Sequence, residues 1–139
     1  LHTSAQLTGQ PLIDNVQFAA GGADSVRGYF ESQELRDNGV ITSVEWVSPN
    51  LQHLLWRQES PGKRELFLHA FADAAWLWDE KPEADPTEPS TNLVSVGVGA
   101  DVKAFDEVYA EVYVARPMVS AGTVEKGDTK VHFRVGYQF

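Results

Sequence analysis

A chain of 139 residues and 15.4 kDa is long enough for one ordinary domain, and its complete lack of cysteine excludes disulfides and thiolate metal sites. Twenty acidic against eleven basic side chains leave a net charge of −9, the wrong sign for a nucleic-acid surface. No apolar run approaches the ~20 residues of a membrane helix, but a mean hydropathy of −0.28 does not exclude a transmembrane β-barrel, whose strands alternate lipid-facing and lumen-facing residues.

The chain opens on LHTSAQLTG, already in a strand pattern, with neither initiator methionine nor signal peptide. The expectation is the C-terminal portion of a longer protein. Period-two alternation predicts six strands. The first, residues 1–9, sets Leu1, Thr3, Ala5 and Leu7 against His2, Ser4, Gln6 and Thr8. A long connection, 10–39, follows. The second strand, 40–48, sets Val40, Thr42, Val44 and Trp46 against Ile41, Ser43, Glu45 and Val47. The connection 49–64 has an apolar LQHLLW centre and reads equally as a short helix or as extensions of its neighbours.

The third strand, 65–78, places Phe67, His69, Phe71, Asp73 and Ala75 opposite Leu66, Leu68, Ala70, Ala72, Ala74 and Trp76. An acidic, proline-rich connection, 79–92, leads to the clearest strand, 93–104. There Val94, Val96, Val98, Ala100 and Val102 alternate with Ser95, Gly97, Gly99, Asp101 and Lys103. A tight turn at 104–107 joins it to the fifth strand, 107–116, in which Val108, Ala110, Val112 and Val114 alternate with Tyr109, Glu111, Tyr113 and Ala115. After a polar connection, 117–129, the sixth strand runs from 130 to 139 with Val131, Phe133, Val135, Tyr137 and Phe139 on one face. Several of these runs have the 9–11 residues of a tilted membrane-crossing strand, whereas soluble strands average about 5–6. Outer-membrane barrels carry short turns on one side and long loops on the other. Counting back from a periplasmic C-terminus puts 10–39, 79–92 and 117–129 outside and the turn at 104–107 inside; the 49–64 connection is long for that side.

One cluster breaks the alternation. Gly21 to Phe30 reads GGADSVRGYF, with glycines at 21, 22 and 28 that allow close backbone approach. It is no phosphate loop, because it lacks the G-K-[ST] ending and the strand-to-helix context. Gly97-Val-Gly99 is half a dinucleotide fingerprint and lies mid-strand, where inner-face glycines make room for a plug or loop. His2, His53, His69 and His132 share no metal-ligand spacing. No G-x-S-x-G elbow is present, and the acidic 79–92 segment lacks a calcium-loop register. No enzyme signature survives and no cofactor or metal is expected.

Pro11 to Phe30, PLIDNVQFAAGGADSVRGYF, resembles the long loop of the BamA/TpsB superfamily, which carries a VRGY or VRGF motif. The Pro-Leu, the Gln-Phe and the Gly-Gly-Ala-Asp-Ser before Val-Arg-Gly-Tyr are most similar to the TpsB branch, the two-partner secretion transporters of hemolysin-activator type. The resemblance extends over the whole chain. It implies an all-β fold: the last six antiparallel strands of a sixteen-stranded outer-membrane barrel, residues 1–139, preceded by POTRA domains that recognise the cargo. It implies that the loop folds back into the lumen, with Val26, Arg27, Gly28 and Tyr29 at its tip. The family's wall partner is the Asp of F-x-D-x-G; here Phe71-Ala-Asp73-Ala-Ala75 occupies that place, with Ala75 where the pattern has glycine.

The physics is consistent with such a pairing. A confined arginine needs a partner, its planar fork suits a carboxylate, and Glu45 on the intervening strand offers a second one. On the residues alone, Arg27 also reads as a solvated turn residue and Asp73 as a surface acid. The alternate aromatic and apolar positions Phe133, Val135, Tyr137 and Phe139 resemble the sorting strand read by the barrel-assembly machinery. The implied partners are a large secreted exoprotein, the lipid bilayer and that machinery; the implied location is the bacterial outer membrane. Two rivals stand beside this reading: a BamA-like assembly factor, and a soluble β-sandwich in which a second sheet covers the valines.

Overall fold

Long runs of β-branched and aromatic residues at alternate positions favour extended pairing over helix, and that is how the chain folds. The computed structural model describes residues 1–56, 64–80, 90–104 and 107–137. Its strands are β1 (His2–Gln6), β2 (Phe18–Ala20), β3 (Glu34–Arg36), β4 (Asn38–Val47), β5 (Glu65–Trp78), β6 (Ser90–Ala104), β7 (Val108–Pro117) and β8 (Lys130–Tyr137). Six form one antiparallel sheet in the order β1-β4-β5-β6-β7-β8; β2 and β3 form a separate two-stranded ribbon. The small ribbon and a 3₁₀ turn at Asp14–Val16 lie inside the connection that the sequence pattern leaves as loop. A second 3₁₀ turn, Gln52–Leu54, occupies the LQHLLW stretch, so the short-helix alternative holds there. Positions 138 and 139, and with them Phe139, lie outside the described residues, as does most of the acidic connection, 81–89.

The registers carry the alternation across the whole sheet. Each ladder runs without a bulge: Ser43 pairs with Asp73, Asp73 with Ser95, Gly97 with Ala115, and Tyr113 with His132. A one-residue slip at any ladder would exchange the two faces. With none, a single face collects Ser43, Glu45, His69, Phe71, Asp73, Ser95, Tyr113 and Arg134, and the other collects the valines.

That valine face is bare. Val98 is 59% exposed and Phe133 80% exposed, and Val44, Val96, Val112, Val114, Val131, Val135 and Tyr137 are also exposed. No second sheet lies against it among the described residues, contrary to what a β-sandwich requires. The buried core lies on the opposite face. There Ala20, Val26 and Tyr29 of the 10–39 connection pack against Ile41, Ala75, Leu77 and Leu93 of the wall, and Ala121 and Val124 of the 117–129 connection join them. The sheet therefore buries its polar side beneath a loop and exposes its apolar side, the inverse of a soluble domain.

The glycines of β6 acquire a specific purpose in this wall. A Cβ built on Gly97 would strike the Phe71 ring directly opposite, and one on Gly99 would strike Tyr113; Gly136 has the same relation to Tyr109. The space left by hydrogen is filled first by wall aromatics, which lie flat across the neighbouring strand. Gly97→Leu is expected to evict Phe71 and to destabilise the folded sheet by about 1–3 kcal/mol, the usual range for overpacking. Thermal unfolding in detergent measures this, and an unchanged midpoint would show that the ring is not held by the glycine.

Candidate functional site

The β2–β3 ribbon pairs Phe18 with Arg36 and Ala20 with Glu34, which brings the two ends of residues 21–33 together. The segment between is a closed loop of the Ω kind. It is held by its own short bonds: Gly21 N–H donates to Ser25 Oγ (3.0 Å), Gly22 N–H to the Val26 carbonyl (3.2 Å) and Ala23 N–H to Glu31 Oε1 (2.8 Å). Gly28 has φ 97°, and a Cβ there would stand 3.3 Å from Ala115 and from Pro117, so only glycine combines this turn with so close an approach to β7. The loop lies on the polar face, with its tip against the middle of the wall. Asp73 is five residues from the end of β5, about 16 Å along the strand.

At the tip, Arg27 is 9% exposed and Asp73 1%. Arg27 donates three hydrogen bonds to that one carboxylate: backbone N–H to Oδ2 (3.1 Å), Nε to Oδ2 (2.8 Å) and Nη2 to Oδ1 (2.9 Å). Ser43, the register partner of Asp73 on β4, donates its hydroxyl to Oδ1 at 2.6 Å. A carboxylate has about four lone-pair sites, and here all four are filled. Arg27 Nη1 reaches Glu45 Oε1 at 2.8 Å, and Nη2 lies 3.3 Å from Ser43 Oγ.

The face of the guanidinium is engaged as well. Its carbon stands 3.4 Å from the centroid of Phe71 and 5.3 Å from that of Tyr113, and these two rings meet edge to face at 5.8 Å. A cation over a desolvated ring gains further stabilisation. Burial alone would pull the guanidinium down, but the hydrogen bonds to Asp73 and Glu45 outweigh it and hold its pKa above the usual value. Arg27 is therefore charged at any pH the protein meets. His69 completes the wall beside it: its Nε2 is 2.8 Å from Asp101 Oδ2, its Nδ1 3.6 Å from Glu45 Oε1, neither with hydrogen-bond geometry.

The same loop extends across the sheet to its far edge. Tyr29 is 1% exposed; its hydroxyl donates towards the Val119 carbonyl (2.7 Å), lies 3.0 Å from the Val94 carbonyl, and accepts from Val94 N–H (3.2 Å). Burial pushes its pKa up, so the hydroxyl keeps its proton. Further along, the Asp24 carboxylate comes 3.6 Å from Arg134, and Lys130 Nζ stands 3.5 Å over the Phe30 ring. One loop thus touches β4, β5, β6, β7 and β8.

Its root is tied by Asp37, which is 3% exposed. The carboxylate accepts from Leu12 N–H (2.8 Å), Gln17 Nε2 (3.3 Å) and Glu80 N–H (3.2 Å), joining both stems of the loop to the end of β5. Burial raises its pKa, but these three donors more than compensate and hold it below the usual carboxylate range.

Of the residues singled out in the sequence, the structure brings Val26, Arg27, Gly28, Tyr29, Phe71, Asp73 and Glu45 into one cluster. Gly21 and Gly22 form the loop's neck. Phe133, Val135 and Tyr137 stand apart from it on the bare face. Sequence reading did not single out Ser43, Tyr113 or Asp37. Ser43 lies two positions from Glu45 on the same face, but only the strand register sets it beside Asp73. No group of side chains suited to a metal occurs among the described residues.

A wall that is apolar outside and polar inside, with a loop held against its inner surface, is the design of transmembrane β-barrels. Residues 1–102 match the family of the haemolysin secretion/activation protein ShlB/FhaC/HecB, and the chain belongs to that family. It is a family of outer-membrane transporters of two-partner secretion, not of enzymes. No curated protein and no solved structure matches the chain.

Two measurements follow from the geometry. Arg27→Ala and Asp73→Ala should each cost about 3–5 kcal/mol, because each strands a buried charge. The double variant should cost little more than either alone, and denaturant unfolding of the folded protein would show additive losses if the two did not interact. The depressed Asp37 pKa contributes stability that is present above about pH 4 and lost as pH falls through its folded value. Asp37→Asn should flatten that acid limb of the stability profile; an identical limb in both proteins would assign it to other groups.

Proposed function

We propose that this chain is the C-terminal barrel region of a two-partner secretion transporter that exports one large exoprotein, of hemolysin or adhesin type, from the periplasm to the cell surface. Residues 1–139 supply six strands of the barrel, and residues 10–39 form the loop that occupies its lumen. The observation that carries this reading is the buried Arg27–Asp73 clamp on the inner face of a sheet whose outer face is bare valine. A charge pair of this kind is weak as a source of net stability but specific in position, which suits a loop that must hold one station in the lumen.

Family membership favours export over barrel assembly. The outer face supports a bilayer setting. Trp46 and Trp76 project from it at opposite ends of the β4–β5 pair, Trp76 opposite Val40, which puts about 20 Å of strand between the two aromatic levels. That is comparable with the ~25 Å apolar band and paired aromatic girdles of outer-membrane barrels. Phe133, Val135, Tyr137 and Phe139 act in this reading as the sorting strand for the barrel-assembly machinery, and Arg27, Asp73, Phe71 and Glu45 hold the loop in its transport-competent station.

In the full-length protein, Arg27→Ala is expected to cut cargo secretion at least tenfold, since loss of a buried charge pair is worth several kcal/mol and each 1.4 kcal/mol is a factor of ten. Barrel insertion, read from heat-modifiable mobility of the outer-membrane fraction, should remain. Normal secretion would remove the clamp from the mechanism.

A further inference from the structure

The ladder between β6 and β7 stops in an unusual way. It runs in register to Ser95↔Pro117, and one step further Val94 would face Met118. Half of that next rung is made: Met118 N–H donates to the Val94 carbonyl at 2.8 Å. The other half is intercepted. Val94 N–H donates to the Tyr29 hydroxyl (3.2 Å), and the hydroxyl reaches the Val119 carbonyl (2.7 Å). A loop side chain has inserted itself between two strands where main chain would otherwise meet main chain.

Beyond this point residues 118–128 leave the sheet and fold back over the loop. Gly127 N–H returns to the Pro117 carbonyl (2.8 Å), Lys126 N–H to Ser120 Oγ (2.9 Å), and Ala121 and Val124 pair with each other. Ala121 and Val124 are buried at 8% and 1%, in the same cluster as Tyr29 and Val26. The Gln33 side chain lies against Gly122.

We propose that Tyr29 is a positioning residue: its hydroxyl, by capturing the last rung of the β6–β7 ladder, folds residues 118–128 over the lumen loop as a cap. Withdrawal of the loop and release of the cap are then a single motion. When Tyr29 leaves, Val94 N–H is free to pair with β7 and the two strands extend outward. When Tyr29 returns, it breaks that rung and the cap closes. This rests on the reading of residues 10–39 as a lumen loop and of 117–129 as a connection on the cell-surface side.

The test uses the full-length protein in outer membranes, without cargo. Ala121→Cys is labelled with a membrane-impermeant maleimide, and trypsin cleavage at Lys126 is followed in parallel in a chain with an unaltered cap. Tyr29→Phe, which removes only the hydroxyl, should accelerate both about fivefold, the equivalent of one hydrogen bond. Arg27→Ala, which releases the loop tip from Asp73 and Glu45 and removes no cap contact given above, should accelerate them at least as much. Equal rates with and without Tyr29→Phe overturn the positioning role, and no acceleration by Arg27→Ala overturns the coupling. If Ala121→Cys prevents assembly, cleavage at Lys126 decides alone. Both readouts are independent of export, so unchanged rates sink this proposal even where secretion falls, and faster rates support it even where secretion is normal.

Discussion

A guanidinium removed from water must recover its solvation from the protein, and much of this fold is arranged around that requirement at Arg27. Its in-plane donors need acceptors, supplied by Asp73 and Glu45. Its faces need something polarisable, supplied by Phe71 and, at greater distance, Tyr113. Asp73 in turn needs its last lone pair filled, which Ser43 does from the adjacent strand. The rings need flat ground, which Gly97 and Gly99 leave open. These demands are met from four adjacent strands, so the one charge ties together the placement of β4, β5, β6 and β7.

Such an arrangement is better at fixing position than at adding stability. The Coulomb gain of a buried pair is largely offset by desolvation, and what remains is a steep penalty for any other geometry. The rest of the loop's hold is spread over Tyr29, Asp37, the Asp24–Arg134 pair and the Phe30–Lys130 contact, each worth little alone. A segment held by many small contacts and one exacting one can leave and return to the same place. In the proposed transporter that is the property required of an element that clears a path and then restores the seal.

The sheet keeps two chemically distinct faces because its registers contain no bulge. The same parity holds from Glu45 on β4 through Asp73 and Ser95 to Tyr113 and Arg134. The inner side can therefore be polar and occupied while the outer side is continuous apolar surface. A soluble domain would have to cover Val98, Val114 and Phe133; among the described residues nothing does.

Much of this was legible in the order of residues. Alternation is a local property, so the six long strands, their two faces and the odd character of GGADSVRGYF were accessible from spacing alone; the TpsB resemblance then named Arg27 and Asp73 as a pair. The ends of strands were less so, because pairing stops where a partner stops. β1 ends at Gln6, and β4 begins at Asn38, two residues before its alternation is evident. Ser43 beside Asp73, the rings over Gly97 and Gly99, Asp37 at the loop root and Tyr29 in the β6–β7 ladder depend on register between segments tens of residues apart. No short window of sequence carries that information. Local chemistry decided which residues could share a polar or an apolar face; the long-range ladder hydrogen bonds decided which of them meet.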